Sequence, residues 1–468
     1  MSNETPSTTE NLRWYQGITN YQWLVLIIAS LGWVFDVFEG QIFVASMRDA
    51  MPGLLGVDAD HPSVRTWNDW AFGSFLLGGA FGGVLFGMLS DRIGRSKTMI
   101  ITILFYSGFT CVTALANAPW QMVVLRFFVA MGVGGEWAVA SAMVAEVMPA
   151  RSRPVMSSIF HASSVLGTLG AAAAGAFVVG NPALGESAWR WGFAIGAAPA
   201  LLTVWVRWKL KEPDTWVKAK EREKDSGERT GQLSELFNGV NLRNTIVGVS
   251  LASIGLVTFW GGHIYGKNAL LRDAQKTALT AEGVALSPPA DVPAAEYKEI
   301  RQAALKKHEA TIKRAEMLSM VLNTIGGGLG LVLFGAISNW LGRKGAFILY
   351  HVLAFVMMLV LFQGLIATNA SPTIVAIFLP VFGFFTLGMH AGYAVYFPEL
   401  YPTRLRGTGA GFCFNMGRLA TAAAFFGYGF LENPPTPEAK ALQLAPLYLL
   451  GVVVILFAKE TRGQEISD

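Results

Sequence analysis

Charge is scarce in this chain: Asp, Glu, Lys and Arg make up 15% of 468 residues, against 53% hydrophobic. Soluble domains carry roughly 25% charged residues, so the composition excludes an ordinary water-soluble protein and reads as a polytopic membrane protein. Cysteine is nearly absent. Cys111 and Cys413 both sit inside apolar runs, which excludes a disulfide framework or cysteine metal site and leaves them as small buried hydrophobes. No phosphate-binding loop, metal-ligand cluster or nucleophile motif occurs, so no enzyme, cofactor or metal is expected. A nucleic-acid-binding motif is also missing. The formal net charge of +4 is modest, and its positive residues concentrate between apolar runs, which is a topology signal. The polar segment 1–22 lacks a signal-peptide pattern and is expected to lie in the cytoplasm.

Long apolar runs are what the chain has. A bilayer-spanning helix needs about 20 mostly apolar residues. Twelve runs begin near Trp23, Trp70, Thr98, Trp120, Val155, Trp191, Thr245, Met317, Ala346, Thr373, Thr408 and Ala441. The expected fold class is an all-α membrane protein, with twelve transmembrane helices in two pseudo-symmetric six-helix bundles, 23–208 and 245–458. The polar stretch 209–244, dense in Lys, Arg and Glu, is the expected linker between them. A second polar insertion, 267–315, holds Pro288, Pro289 and Pro293 before a helix-like segment from Ala294; its mixed charge fits a solvated cap or a lid. Arg92, Arg95, Lys97, Arg151, Arg153, Arg343, Lys344, Arg404 and Arg406 fall on one face. By the positive-inside rule that face, both termini and the tail 459–468 are cytoplasmic, in a cell membrane.

Three landmarks repeat in order. Gly87-Met88-Leu89-Ser90-Asp91-Arg92-Ile93-Gly94-Arg95 recurs as Gly335-Ala336-Ile337-Ser338-Asn339-Trp340-Leu341-Gly342-Arg343. The segment 146–153 and the segment 399–406 both read E-x-x-P-x-R-x-R, and Lys211-Glu212 is echoed by Lys459-Glu460. Duplicated halves of this kind allow rocking around a central site.

These motifs, with Arg126-x-x-x-x-x-Gly132-x-Gly134-Gly135 and Lys459-Glu460-Thr461-Arg462-Gly463, resemble the major facilitator superfamily of secondary transporters. Within it they are similar to the sugar-porter, organic-anion and metabolite:proton symporter (sialate and aromatic acid) branches, over nearly the whole chain. Asn339 and Trp340 depart from the usual Asp and Arg, which weakens the second loop as an ionic latch. The long insertion after the seventh span is a further departure.

A charge at the bilayer centre costs roughly 2.5–3.5 kcal/mol, so intramembrane ionisable residues are candidates for function. Asp36 and Glu39, three residues apart in the first span, fall on one helical face and should resist ionising together. One can carry a proton, or one can be locked to an arginine on a neighbouring helix. Arg126 in the fourth span either tunes that carboxylate, a role the resemblance implies, or forms a helix-packing ion pair with Glu136 or another acid. Arg418 matches the arginine that faces substrate in the eleventh span of organic-anion transporters, and its planar fork suits a carboxylate; the alternative is a protein carboxylate as partner. Asn323, His390, Tyr393, Tyr396 and Asn415 are candidates to line the same cavity, with His161 and His263 as secondary members of a proton path. Asp91, Arg92, Arg95, Glu146, Arg153, Arg343, Glu399 and Arg406 are candidates for a cytoplasmic gate, with Glu146–Arg153 and Glu399–Arg406 as expected members.

The function expected is proton-coupled symport of a small organic anion by alternating access, in a monomer. A proton-driven exporter, an uncoupled facilitator and a non-transporting membrane receptor are the competing readings.

Overall fold

Thr19 starts the first helix with a reciprocal cap: its hydroxyl accepts from Gln22 N at 3.2 Å, and the Gln22 side chain accepts from Thr19 N at 2.9 Å. The helix, α1 (Asn20–Leu55), ends at Gly56 in the left-handed conformation, φ +64°. This computed structural model describes residues 13–464 apart from 59–60, 180, 197, 199–200, 202–204, 206–207, 227–228, 290–291 and 430–436. The expected terminal segments therefore lie partly outside the described residues, as does most of the second half of the sixth run.

The N-terminal half continues with α2 (Pro62–Ile93), α3 (Arg95–Thr113), α4 (Pro119–Val147), α5 (Arg153–Val179) and α6 (Ala188–Ile195). The C-terminal half holds α7 (Gly239–Lys267), α8 (309–341), α9 (343–366), α10 (Pro372–Leu400), α11 (Arg406–Gly429) and α12 (Glu438–Leu456). Helices α8 and α9 run together in a single 58-residue apolar stretch, broken only where Gly342 takes φ +80°. Among the described residues eight helices, that stretch counted as one, are long and apolar enough to cross a membrane. No strand occurs among the described residues.

Glycine rows decide which helices meet. On α2, Leu77, Phe81 and Leu85 recur every four residues and are exposed, facing lipid. One position further round, a Cβ on Gly78 or Gly82 would overlap the backbone of Phe127 or Met131 on α4. One position further again, Gly79, Gly83 and Gly87 meet Arg418, Asn415 and Gly407 on α11. Three adjacent rows thus address lipid, the same half and the opposite half, because small residues let backbones approach closely. The C-terminal half repeats the device: Gly326 and Gly330 of α8 press on the backbones of Pro380 and Phe384 in α10, and Gly335 presses on Pro154 of α5.

Between the halves, Asp214–Ser226 forms a linker helix and Leu233–Phe237 a short 3-10 turn. The insertion contains the expected helix, Ala294–Lys307, and a second one in its first half, Ala269–Ala281. The second helix buries Ala269, Leu270, Ala278 and Leu279. Its apolar stripe recurs at helical spacing between charged residues, so average composition hides it.

Candidate functional site

Asp36 and Glu39 lie one turn apart on α1, both buried, yet the structure gives them different surroundings. Glu39 Oε1 accepts from Arg126 Nη1 at 2.5 Å and from Thr110 Oγ1 at 3.1 Å. The same guanidinium donates to Thr113 Oγ1 at 3.1 Å and lies over the rings of Phe43 and Phe193, 4.9 and 5.0 Å from their centres. Removing one partner of such a buried pair leaves a bare charge, at a cost of roughly 3–5 kcal/mol, so Glu39 and Arg126 are bound to each other. Of the pairings open to Arg126 in the alternative reading, the one with another acid, Glu39, forms and the one with Glu136 does not. Glu136 instead accepts from Thr102 Oγ1 at 2.5 Å, and its other oxygen stands against Gly32 of α1, where a Cβ would be 2.7 Å away.

Asp36 has no such arrangement. Neither of its oxygens has a partner in strict hydrogen-bond geometry among the described residues, although the side chain is buried; the Tyr106 hydroxyl of α3, itself without another partner, is the polar group that faces it. The positive charge that acts on it is Arg418 of α11, from the opposite half and beyond the 4.0 Å of an ion pair. Among the described residues no carboxylate pairs with Arg418. Its guanidinium lies over Phe414 at 5.3 Å and fills the space that Gly79 leaves on α2, where a Cβ would stand 2.5 Å from Nη1.

Other unpartnered polar atoms lie in the same interior. Both amide atoms of Asn323, Oδ1 of Asn415 and Oε1 of Glu136 are buried without a hydrogen-bond partner among the described residues, and His390 Nε2 has only the Gly255 carbonyl facing it outside strict hydrogen-bond geometry. Asn415 fits the gap at Gly83, while its Nδ2 donates to Gly411 O at 2.9 Å. Two expected members do not join this group. The Tyr393 hydroxyl donates to Leu251 O at 3.1 Å, and the Tyr396 hydroxyl donates to Lys459 O at 2.6 Å, near the end of the molecule that carries the basic loops. Helical position alone could not reveal that both hydroxyls are taken by backbone carbonyls. His263 is likewise occupied, with Nδ1 2.7 Å from Thr386 Oγ1 and its ring stacked on Phe259 and Phe382.

At that basic end the two halves are bolted together. Asp91, at the end of α2, is bound by Arg95 at 2.8 Å and accepts from Gly407 N at 3.0 Å, Thr408 N at 2.8 Å and Thr408 Oγ1 at 2.6 Å. Those last three bonds cross between the halves and satisfy the start of α11. Asn339, at the equivalent place on α8, donates once across, to Arg151 O at 3.3 Å. The expected ion pairs within each E-x-x-P-x-R-x-R segment are exchanged. Glu146 pairs with Arg406 at 2.8 Å and Arg95 at 2.6 Å, while Glu399 pairs with Arg343 at 2.9 Å and reaches Arg153 at 4.0 Å. The pseudo-twofold relation explains the swap: it faces each segment's carboxylate toward the other segment's arginine. Arg92 leans on the linker instead, 3.4 Å from Gly231 O.

The third repeated landmark also acquires a role. Glu212 accepts from the backbone of Arg95, Ser96 and Lys97 at 2.6–3.2 Å, capping α3. Glu460 accepts from the backbone of Arg343 and Lys344 at 2.9 and 3.1 Å, capping α9. Gly94, at φ +113°, and Gly342 make the reversals that aim those amides at the carboxylates.

Sequence reasoning missed the aromatic bridge across the seam. Trp137 of α4 stacks on Phe414 of α11, 3.9 Å between centres at 20°. Toward the other end, Phe72 of α2 meets Trp260 of α7 edge to face at 5.9 Å. No signal marks a tryptophan in an apolar span as anything but packing.

Comparison with known proteins bears on the whole architecture. The chain is 28% identical over 396 residues to the cis,cis-muconate transport protein of Acinetobacter baylyi, covering 83% of this chain and 84% of that one. It is 25% identical over 416 residues to the sialic acid transporter NanX of Escherichia coli, covering 88% and 87% respectively. Its fold superposes on the proton:xylose symporter XylE of E. coli with a TM-score of 0.71 at 16% identity, over 95% of this chain and 98% of that one. The family model of the Major Facilitator Superfamily matches residues 61–425, and the chain belongs to that superfamily of membrane transporters.

Proposed function

We propose that this chain is a proton-coupled symporter of a small organic anion. The observation that carries the reading is the buried Asp36 on one half, tied into no ion pair among the described residues, with Arg418 of the other half as the positive charge that acts on it. Arg418 binds the substrate carboxylate with its planar fork. Asp36 takes the proton: once the anion occupies the guanidinium, the carboxylate loses its only compensating charge and is better protonated than bare in a low-dielectric interior. Loading both together removes the net charge that would otherwise oppose a passage through the occluded state. Asn323, Asn415 and His390 orient the ligand, with their spare donors and acceptors facing the seam.

Glu39 and Arg126 hold α1 to α4 and keep the floor beneath Asp36 rigid, while Glu136 adds negative potential beside it. The basic end is the cytoplasmic side and carries both termini, and the gate residues described above keep it shut while the opposite end admits substrate. The two bundles, 23–208 and 245–458, rock about this site in a monomer. The relatives that transport cis,cis-muconate and sialic acid support an organic acid as the cargo.

The test is uptake of labelled cis,cis-muconate, and of a panel of small organic acids, into proteoliposomes under an imposed inward proton gradient. Arg418→Ala is expected to abolish binding. Asp36→Asn is expected to retain counterflow exchange and lose gradient-driven accumulation. Accumulation by the wild type that ignores the gradient removes the proton role, and acid binding that survives Arg418→Ala removes the anion-receptor role.

A further inference from the structure

His161 of α5 is a buried histidine held by two tryptophans. Trp33 Nε1 donates to its carbonyl at 3.1 Å, and the Trp33 ring lies over the imidazole, 5.5 Å between centres. Trp137 Nε1 lies 3.3 Å from His161 Nδ1. An indole nitrogen only donates. Nδ1 is therefore the acceptor, and the ring's proton is on Nε2. Adding a second proton would set one N–H against another, so this contact holds the imidazole neutral. A role for His161 in proton relay, open from sequence alone, conflicts with that geometry.

Nε2 has no protein partner among the described residues and is not sealed off; the residue keeps 5% exposure. The placement is tied to the anion receptor through one ring, because Phe414 stacks on Trp137 and also carries the Arg418 guanidinium.

We propose that His161 is a fixed, neutral N–H donor of the substrate site, held in one tautomer by Trp137 as its positioning residue. It reads a second hydrogen-bond acceptor on the ligand, so the preferred cargo is an acid with a second carboxylate, hydroxyl or carbonyl besides the carboxylate at Arg418. This rests on the anion-symporter reading and adds a specificity element to it.

Two probes of one skeleton test it on the purified full chain: hexa-2,4-dienedioate, with two carboxylates, and hexa-2,4-dienoate, with one. Glutamine places its amide nitrogen where Nε2 stands, and asparagine where Nδ1 stands. A hydrogen bond to a charged acceptor sets the scale at about 10- to 100-fold in Kd. His161→Asn is expected to weaken the diacid by that factor, His161→Gln to stay within about threefold of wild type on the same scale, and both to leave the monoacid unchanged. Trp137→Phe keeps the stack on Phe414 and is expected to weaken the diacid selectively. Equal losses in the Asn and Gln variants, or a loss shared by both acids, overturn the inference. Arg418→Ala separates the two levels. Loss of both acids there with a flat His161 series sinks the donor role alone, whereas monoacid binding that survives sinks the anion-receptor reading. A wild-type chain that binds neither acid overturns both.

Discussion

Asp91→Asn should unbalance this transporter far more than Asn339→Ala, although the two positions are equivalent in the repeat. The Asp91 carboxylate accepts three bonds from residues 407 and 408 of the other half, two of them from backbone amides. Asparagine replaces one oxygen with an NH2 group that must face an amide N–H, so at least one charge-assisted bond is lost. Hydrogen bonds to charged groups contribute roughly 1.5–3 kcal/mol each, which puts the loss of one at about 1.5–3 kcal/mol. The equilibrium between states closed and open at the basic end then shifts by roughly 10- to 150-fold. Asn339→Ala removes one neutral bond of 3.3 Å, worth about 0.5–1.5 kcal/mol, a shift of roughly 2- to 12-fold. Spin labels at Lys97 and Trp340, one on each half at that end, report the opening as a distance distribution in lipid nanodiscs. Asp91→Asn should populate a longer distance in the absence of substrate, and Asn339→Ala should remain close to wild type. Equal shifts in the two variants would refute the asymmetry.

Arg126→Ala should lower thermal stability by about 3–5 kcal/mol, because Glu39 is left buried and bare; pairing it with Glu39→Gln should recover part of the loss in a melting assay. Gly134→Ala should force α4 away from the Gly79 backbone, which its new Cβ would overlap; an overpacking cost of about 1–3 kcal/mol and weaker acid binding, through the displaced Arg418, are the expected readouts. In the insertion, hydrogen bonds from Lys307 and His308 hold the Glu282 carboxyl below its ordinary value of 4.5. The sign follows from linkage: the contact stabilises fully above that ordinary value and is lost as pH falls through the lower folded one. Hydrogen exchange across 269–307 should therefore stay slow at pH 5, rise in stronger acid, and be fast at both in Glu282→Gln.

Much of the fold was legible because membrane helices announce themselves by length and apolarity, and because the halves repeat three landmarks. Which charged residues meet at the basic end was legible for the same reason. Their pairing was not, since a motif read along the chain puts Glu146 nearest Arg153, while the exchange with Arg406 exists only once the halves face each other. Asp36 and Glu39 share a helical face, yet one turn of helix carries Glu39 onto Arg126 and leaves Asp36 at the seam. Periodicity gives a face and says nothing of depth along the axis. The same limit explains Tyr393 and Tyr396, whose hydroxyls end on carbonyls of α7 and of the C-terminal tail. His161 was visible as a histidine, but its tautomer depends on Trp137, distant in sequence and unremarkable in composition.

The exchanged ion pairs set the shape of the conformational landscape. Glu146 and Glu399 each look to an arginine of the other half as well as to one of their own, so in the proposed rocking motion a partial tilt that breaks the Glu146 crossing leaves both carboxylates paired but takes from the buried Arg406 its carboxylate. On that reading halfway positions are expected to be penalised relative to both extremes, and the seam to act as a two-position switch rather than a hinge with a range of angles. Such a transporter should dwell in its end states and cross between them abruptly, with leakage suppressed by the energetic poverty of everything in between.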